Sequence, residues 1–535
     1  MNANLVQHFL EQSANRFPDK VALVCDGQRL TYAQVEERTN RLAHGLRELG
    51  VARGDRVAIW LHNSVEAAVA IYAVLKAGAV FTVINATTRP EKLARILNNC
   101  TATALFLPGR EPEQVAGLFT AVPSLRAAVL CGPQTGSLPR TVSFADLLEG
   151  HPSYPPACPT IDVDLACLIY TSGSTGEPKG VMSTHANVVF AASSITRYLE
   201  NRPEDVVIDV LPLSFDYGLY QWLMVCSFGG TLVLERSFAY PAAVLQRIAE
   251  ERVTGLPGVP TLFAMLLQLD LSRFDLSSLR YLTNTAAALP VEHILRLRQA
   301  FPHARLYSMY GLTECKRVCY LPPEELDRRP GSVGIPIPGT EVWIEDEAGN
   351  RLGPGQMGEL VVRGSHVMQG YWNDAEETAR RYRPGRWPAE RRLYTGDLFR
   401  MDEEGFLYFV ARKDDIIKTR GEKVAPKEVE EVLYRLPEVA EVAVVGVADE
   451  LLGQAIKAFI VCRDGSRLTA QEVLRHCAQH LEDFARPRFV EFLTALPRTP
   501  SGKIDRRALA AAPLHSEPAG PVEPSDDVAP SQGQA

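Results

Sequence analysis

A run of small and hydroxyl-bearing residues, about a third of the way along the chain, is suited to binding phosphate. The run Thr171–Gly180 reads TSGSTGEPKG and follows the apolar stretch Leu165–Tyr170, which is predicted to be a buried strand. Glycine lets consecutive backbone N–H groups converge on one anion, hydroxyl groups donate further hydrogen bonds, and Lys179 adds a positive charge. The spacing matches neither the G-x4-G-K-[ST] loop of nucleoside triphosphatases nor the G-x-S-x-G turn of hydrolases. The sequence therefore predicts a phosphate loop of another type, with these binding residues: Thr171, Ser172, Gly173, Ser174, Thr175 and Gly176.

Four further short motifs with polar side chains follow in the second half of the chain. They are Tyr310–Glu314 (YGLTE), Tyr394–Asp397 (YTGD), Arg412–Asp414 (RKD) and Pro500–Ile504 (PSGKI). A carboxylate after a Thr-Gly turn can accept both hydroxyl groups of a ribose, as an acidic residue does in dinucleotide-binding folds. Each motif alone is also typical of an ordinary turn, so their order along the chain carries the information.

The five motifs, in this order, resemble those of the superfamily of AMP-forming adenylating enzymes. That superfamily comprises acyl-CoA synthetases, the adenylation domains of peptide synthetases, and luciferases, and the resemblance extends from about Leu30 to Leu509. It implies two half-reactions: a carboxylate attacks the α-phosphate of Mg·ATP to give an acyl-adenylate and pyrophosphate, and a thiol then displaces AMP. Because positioning and electrostatics do most of the work at a phosphoryl centre, no Ser/His/Asp triad is expected.

The resemblance assigns a role to individual residues. Tyr310 would stack on adenine, Thr313 would hold a phosphate, and Glu314 would bind Mg²⁺, for which one carboxylate plus substrate phosphate is enough. Asp397 would bind the ribose, and Lys503 would neutralise charge that builds between the carboxylate and the α-phosphate. The other assigned residues are the catalytic cation Lys179, the adenine-side residues Ala286 and Ala287, the nucleotide contact Arg412, the hinge residue Asp414, and Gly421 of a loop that admits a pantetheine arm.

The substrate acid is expected near the segment Leu211–Gly218, which reads LPLSFDYG and supplies Phe215, Asp216 and Tyr217 as substrate-binding residues. Its Phe-Asp pair is similar to amino-acid adenylation domains, in which the aspartate holds the α-ammonium group. The segment Lys427–Glu430 and the C-terminal lysine motif are more similar to the acyl-CoA ligase branch.

An acid–thiol ligase is therefore the favoured interpretation. A stand-alone amino-acid-activating enzyme that loads a carrier protein, an amide synthetase and a non-catalytic nucleotide-binding scaffold are the alternatives. No carrier domain is expected after Leu509. The thiol would therefore come from free CoA or from the phosphopantetheine of a separate carrier protein.

The elements that must position these motifs alternate between helix and strand in the first third of the chain. Tyr32–Gly50 has apolar residues at helical spacing and ends at a glycine, whereas Arg56–Leu61 and Val80–Ile84 are short apolar strands. This alternation predicts an α/β fold with helix-flanked parallel sheets. Gly- and Pro-rich clusters after residue 329, each followed by an alternating strand, predict antiparallel hairpins in a barrel-like subdomain. The segment 132–159 is rich in Pro and Gly and is predicted to loop over the surface.

Three regions are expected along the chain. A large ATP- and acid-binding domain would span residues 1–411, a small mobile α+β domain would span 412–512, and a disordered tail would span 513–535. The break near Arg412–Asp414, within the charged stretch Ala411–Asp415, is predicted to be a hinge, because hinges lie at the ends of elements. The tail has five prolines and no Lys, Arg or aromatic residue, so it cannot bury enough apolar surface to order itself.

Composition excludes several classes of function. The 535 residues have a net charge of −8 and include 46% hydrophobic residues, so no general attraction to nucleic acid is expected. The N-terminus lacks the pattern of a signal peptide, and Lys76 and Gly78 interrupt the most apolar stretch, so no membrane span is expected. Ten cysteines without a CxxC pair predict buried thiols in a reducing compartment, and hence a cytoplasmic protein.

Overall fold

The computed structural model describes residues 3–109, 117–133, 139–172, 178–285, 289–387, 390–420, 422–449, 452–499 and 503–511. The chain divides into two compact units. The large unit comprises Met1–Phe409 and Thr499–Lys503, and the small unit comprises Val410–Arg498 and Ile504–Ala535. This division assigns Lys503 to the large unit.

Two sheets form the core of the large unit. Among the described residues, the first has nine strands in the spatial order Ile335–Pro336, Cys319–Tyr320, Arg305–Tyr310, Tyr281–Asn284, Gly255–Gly258, Val206–Asp209, Thr231–Leu234, Val21–Cys25 and Gln28–Thr31. The second has seven, in the order Thr141–Ser143, Ala127–Cys131, Ala102–Pro108, Arg56–Ile59, Val80–Val83, Leu165–Ser172 and Pro178–Thr184. The inner strands pair in parallel, and antiparallel pairs occur at the ends of the sheets. The predicted α/β class is confirmed.

Helices cover these sheets and begin where the sequence supplies a cap. Thr31 accepts a hydrogen bond from the backbone N–H of Gln34 and starts the helix Tyr32–Glu48. The helix Val65–Lys76 is apolar on nearly every face, and all its residues except Glu66 are buried. The described helices of the large unit are Gln7–Arg16, Tyr32–Glu48, Val65–Lys76, Pro90–Asn99, Leu118–Ala121, Phe144–Glu149, His185–Tyr198, Asp216–Phe228, Pro241–Glu250, Pro260–Leu266, Val291–Ala300 and Ala375–Arg381.

An antiparallel sheet follows in the region predicted to be barrel-like. Thr340–Glu345 pairs with Gly358–Gly364 over six residue pairs, which confirms the predicted hairpin. Arg391–Met401 continues the sheet, and its remaining strands are Tyr382–Pro384 and Leu407–Arg412.

The prediction that residues 132–159 form a surface loop is wrong for the middle of that segment. The strand Thr141–Ser143 pairs in parallel with Ala127–Cys131, and the helix Phe144–Glu149 follows directly. Phe144 and Leu147 are buried in the main core cluster. Two apolar anchors separated by three positions are enough to hold one and a half turns of helix, but they form too short a pattern to stand out in a Pro- and Gly-rich stretch.

The small unit is an α+β domain, as predicted. Its described strands are Glu422–Val424, Ile417–Thr419, Gly453–Cys462, Val439–Asp449 and Phe489–Phe492, and its helices are Pro426–Leu433, Ala470–His480 and Arg506–Ala511. Val429, Val442 and Ile460 are among the residues of its core. The predicted tail 513–535 lies outside the described residues.

All ten cysteines are free thiols, and eight of them are buried, as predicted. Within the described part of the chain, no helix has the length and apolar character needed to span a bilayer.

Candidate active site

The phosphate-loop motif is part of a β-hairpin. Leu165–Ser172 and Pro178–Thr184 pair in antiparallel fashion, with Thr171 opposite Lys179. The sequence suggested that Lys179 belongs to the loop, but it lies on a strand. Pairing with the neighbouring strand fixes its backbone. The side chain of Ser172 and the predicted residues Gly173, Ser174, Thr175 and Gly176 lie outside the described part of the chain.

Tyr371 joins the predicted phosphate lysine to the predicted magnesium ligand. The Tyr371 hydroxyl donates a 2.6 Å hydrogen bond to Oε1 of Glu314, and Nζ of Lys179 lies 5.7 Å from the centre of the Tyr371 ring. Lys179 also forms a 3.2 Å ion pair with Glu377. Although burial acts in the opposite direction, hydrogen bonds from Arg380 and Lys179 lower the pKa of Glu377. Lys179 and Glu314, which are far apart in sequence, thus face the same tyrosine.

The predicted adenine and ribose residues also lie together. The Tyr310 hydroxyl donates a 2.6 Å hydrogen bond to Oδ2 of Asp397, whose residue is only 4% exposed. Asp397 lies within the strand Arg391–Met401 and not in a free turn, next to a register shift in the pairing with Gly358–Gly364. Gly396 adopts φ +74° there, a conformation that glycine reaches at little cost. The sequence motif therefore marks an irregular strand that turns a buried carboxylate toward Tyr310.

The residues after the Tyr310–Glu314 motif form a tight turn that directs two cations inward. The N–H groups of Cys315 and Lys316 both donate to the carbonyl of Leu312, and Lys316 adopts φ +64°. A Cβ atom at Gly311 would lie within 2.0 Å of the Lys316 carbonyl oxygen, so only glycine leaves room for the turn. Lys316 and Arg317 are consequently buried, with 7% and 5% exposure. Sequence reasoning missed both, because a Cys-Lys-Arg run is usually a solvated surface segment.

A pocket in the large unit collects the predicted substrate residues. Asp216 starts the helix Asp216–Phe228, and its Oδ2 lies 3.7 Å from Nζ of Lys316. The Tyr217 hydroxyl donates a 2.9 Å hydrogen bond to the carbonyl oxygen of Thr283. The lining residues are Ile195, Phe215, Asp216, Tyr217, Tyr220, Gln221, Met224, Thr285, Gly311, Leu312, Thr313, Lys316, Arg317 and Lys503.

Lys503 is the residue of the C-terminal motif that reaches this pocket. Its Nζ lies 5.7 Å from the centre of the Phe215 ring. Thr313 lines the same pocket, and the neighbouring Glu314 is held by Tyr371 as described above. The structure therefore brings the predicted acid-binding residues, the C-terminal lysine and the Tyr310–Glu314 motif together at one place.

The remaining predicted residues are not brought to this pocket. Arg412 ends the strand Leu407–Arg412, and the exposed Asp414 lies in the single turn Lys413–Asp415 that follows. Both belong to the small unit. Ala286, Ala287 and Gly421 lie outside the described residues, although Thr285 beside the alanines lines the pocket.

The acidic residues near the site suit a metal ion that is shared with phosphate. In the part of the chain that the structure covers, no group of three or more His, Cys, Asp or Glu side chains could hold a metal by itself. Glu314 presents a single half-buried carboxylate near Lys179. A single carboxylate completed by substrate phosphate oxygens is a common arrangement for Mg²⁺, so the residues present fit that ion.

Comparisons with known proteins place these features in one family. The family model for AMP-binding enzymes matches residues 10–372, and that for the C-terminal domain of AMP-binding enzymes matches residues 428–503. A long-chain-fatty-acid–CoA ligase of Escherichia coli O157:H7 is 33% identical over 95% of this chain and 94% of its own length.

Two solved structures are similar over 95% of this chain. The anthranilate CoA ligase AuaEII in complex with anthranoyl-AMP has a TM-score of 0.87 at 27% identity, with 97% of that chain covered. The amide bond synthetase McbA from Marinactinospora thermotolerans has a TM-score of 0.83 at 29% identity, with 99% covered. The extent of these matches, together with the order and grouping of the motifs, shows that the chain belongs to the family of AMP-binding enzymes.

Proposed function

We propose that the protein is an ATP-dependent ligase that activates a carboxylic acid as an acyl-adenylate and transfers the acyl group to a thiol, releasing pyrophosphate and AMP. The observation that carries the proposal is the arrangement around one segment, Tyr310–Arg317. Tyr310 contacts Asp397, and Glu314 and Lys179 both contact Tyr371. Lys316 and Arg317 line the pocket that Lys503 and Phe215 also line.

On the nucleotide side, Asp397 is proposed to accept hydrogen bonds from the ribose hydroxyl groups. A carboxylate offers about four acceptor positions, so the hydrogen bond from Tyr310 leaves capacity for further donors. The Tyr310 ring is held edge-on by Phe399, with ring centres 4.8 Å apart, which fixes its plane. Adenine would stack against that ring.

On the phosphate side, Lys179 is proposed to bind a phosphate oxygen while it keeps Glu377. An ammonium group has three donors, so both contacts can exist together. Glu314 is proposed to hold Mg²⁺, which when bound would neutralise phosphate charge. The Tyr371 hydroxyl occupies one carboxylate oxygen of Glu314 and thereby orients the other.

Lys503 is proposed to supply a positive charge at the reacting carboxylate, since it lines the pocket beside Phe215. Attack on the α-phosphate brings an anionic carboxylate up to an anionic phosphate, and a positioned cation lowers that barrier. A single group of this kind contributes roughly 10²- to 10³-fold in rate. Thiol attack on the finished adenylate builds its charge on the carbonyl oxygen instead, so Lys503 is proposed to serve the first half-reaction only.

Free CoA is the proposed acceptor, because the relative that is 33% identical over nearly the whole chain is a CoA ligase. The similarity to an amide bond synthetase supports an amine acceptor as a second candidate. A carrier-protein thiol is the third candidate acceptor. The segment around Gly421 would then admit its pantetheine arm.

ATP–pyrophosphate exchange with a panel of acids tests the proposal, because it reports the first half-reaction without an acceptor. We expect exchange with at least one acid and its loss in Lys503→Ala, whereas Arg475→Ala, at an exposed position of the helix Ala470–His480 in the small unit, should retain it. Mass spectrometry of products formed with CoA or with amines then identifies the acceptor. Absence of exchange with every acid tried, in folded protein that binds ATP, would contradict the proposed activity.

A further inference from the structure

We infer that the acid bound by this pocket carries a second carboxylate, which Lys316 and Arg317 hold. The inference rests on the proposed function, since it concerns the acid that the same pocket would present for activation. It narrows the substrate class from carboxylic acids in general to dicarboxylic acids.

The first argument is charge. Apart from Lys503, which is proposed to meet the reacting carboxylate, the described residues that line the pocket include two cations, Lys316 and Arg317, and one acid, Asp216. Two positive charges against one negative charge leave an excess of +1. The side chains of Lys316 and Asp216 are 3% and 12% exposed, and their 3.7 Å ion pair is longer than a hydrogen bond. A buried charge without a partner is costly, and an anionic ligand removes that cost.

The second argument is unused hydrogen-bond donors. Among the residues that the structure describes, no hydrogen-bond partner is found for four buried donor atoms: Nζ of Lys316, Nε and Nη1 of Arg317 and the hydroxyl of Tyr220. More than about nine in ten buried polar groups in proteins are paired, so a cluster of unpaired donors at one pocket indicates a missing acceptor. A carboxylate, with about four acceptor positions and a negative charge, matches these donors.

The third argument is that the two cations are held in place. Nζ of Lys316 lies 5.4 Å from the centre of the Tyr220 ring, and the guanidinium carbon of Arg317 lies 5.4 Å from the centre of the Tyr217 ring. These cation–π contacts orient the side chains but supply no hydrogen-bond acceptor. The turn at Gly311 fixes their backbone. The donors are thus preorganised, which reduces the entropy lost on binding.

An amino acid is disfavoured as the substrate, because its ammonium group would add a further cation beside Lys316 and Arg317, and Asp216 already faces Lys316.

Pyrophosphate exchange with matched pairs of acids tests the inference on the wild-type protein. Each pair consists of a short aliphatic or aromatic dicarboxylic acid and its monomethyl ester, which has nearly the same shape but lacks the second charge. We expect kcat/KM to favour the diacid by at least about 10-fold in the best pair, as hydrogen bonds to charged groups imply. Equal or faster exchange with the esters would overturn the second-carboxylate site and leave the proposed function standing. Absence of exchange with any acid would remove both.

Two variants test the assigned residues. Lys316→Met and Arg317→Met keep an unbranched stem but remove the donors, and each is expected to lower kcat/KM for the diacid by about 10- to 100-fold and to bring the diacid-to-ester ratio toward one. Arg317→Met should leave the melting temperature unchanged or raised, since it removes an unbalanced buried charge. If Arg317 only stabilised the fold, its replacement would instead lower the melting temperature.

The matched control is Arg252→Met in the large unit, because that arginine is exposed and its ion pair with the exposed Asp275 is long, at 3.9 Å. We expect the control to keep both the diacid preference and the melting temperature. An unchanged diacid-to-ester ratio in folded Lys316→Met and Arg317→Met proteins would refute the assignment. If either variant fails to fold, the diacid-to-ester ratio of kcat/KM is measured for Arg317→Gln and for the wild-type protein. These two ratios then test the second-carboxylate site.

Discussion

Replacing Asp397 with asparagine is expected to weaken ATP binding by about 10- to 100-fold while the protein stays folded. The carboxylate is 4% exposed and accepts a 2.6 Å hydrogen bond from Tyr310. Asparagine retains one oxygen and can still accept that bond, so the contact between the two strands survives. What is lost is the charged acceptor proposed for the ribose hydroxyl groups.

The magnitude follows from the kind of hydrogen bond. A hydrogen bond to a charged group contributes about 1.5–3 kcal/mol, and about 1.4 kcal/mol corresponds to tenfold in affinity. Losing one such bond therefore predicts a 10- to 100-fold rise in the Kd for ATP. Asp397→Ala should be worse for stability, because the Tyr310 hydroxyl would then lose its acceptor in a mostly buried site.

Isothermal titration calorimetry with ATP measures the change directly, and thermal unfolding measures the cost to the fold. Asp346→Asn is the matched control, since that aspartate lies in an exposed turn of the same sheet and bonds only to its own loop. Tyr310→Phe complements it by removing the hydroxyl but keeping the ring. If Asp397→Asn lowers the melting temperature but leaves the Kd for ATP within twofold of wild type, the carboxylate is structural and its ribose role is refuted.

Three other perturbations test the role of Lys503 in catalysis, the role of the C-terminal tail and the pH dependence of stability. Lys503→Ala should suppress adenylation while thioester formation from supplied acyl-adenylate stays within a few-fold of wild type; equal loss in single-turnover assays of both half-reactions would contradict that division. Deleting Pro513–Ala535 should leave melting temperature and turnover unchanged, because its composition provides nothing to pack, and a clear drop in either would show that the tail docks. Burial lowers the pKa of His185 to about 4, and its Nδ1 accepts a 3.1 Å hydrogen bond from the Val6 N–H. Since the unfolded state takes up that proton first, the free energy of unfolding should be insensitive to this group above about pH 6.5 and fall by up to about 3 kcal/mol as pH drops to 4. Urea titrations in which His185→Gln follows the same pH profile as wild type would rule this out.

Local sequence patterns predicted the helices and strands of the large unit well, because each of these elements depends on residues that are close together in sequence. The strand Val80–Val83 differs from its prediction by one residue at one end, and the helix Tyr32–Glu48 differs by two residues at one end. The family also follows from short motifs, since their order needs no knowledge of contacts. The five motifs were therefore enough to predict the fold class and an enzyme of the AMP-binding family.

Features that depend on distant contacts could not be predicted in this way. Tyr371 orients Glu314 from 57 positions further along the chain, and it belongs to no motif recognised in the sequence. Lys316 and Arg317 resemble a solvated basic pair until the left-handed turn against Gly311 directs them inward. The sequence marks Asp216 as a substrate-binding carboxylate, but only the fold shows that Lys316 is the group that faces it.

The most direct test of the account follows the oxygen atoms of the acid. The acid that gives the fastest pyrophosphate exchange is labelled with oxygen-18 in its reacting carboxylate and incubated with the protein, ATP, Mg²⁺ and CoA. Attack on the α-phosphate, followed by thiol attack on the carbonyl carbon, predicts one labelled oxygen in AMP and none in pyrophosphate. Label in inorganic phosphate, or unlabelled AMP accompanied by thioester, would contradict an acyl-adenylate intermediate and with it the proposed function.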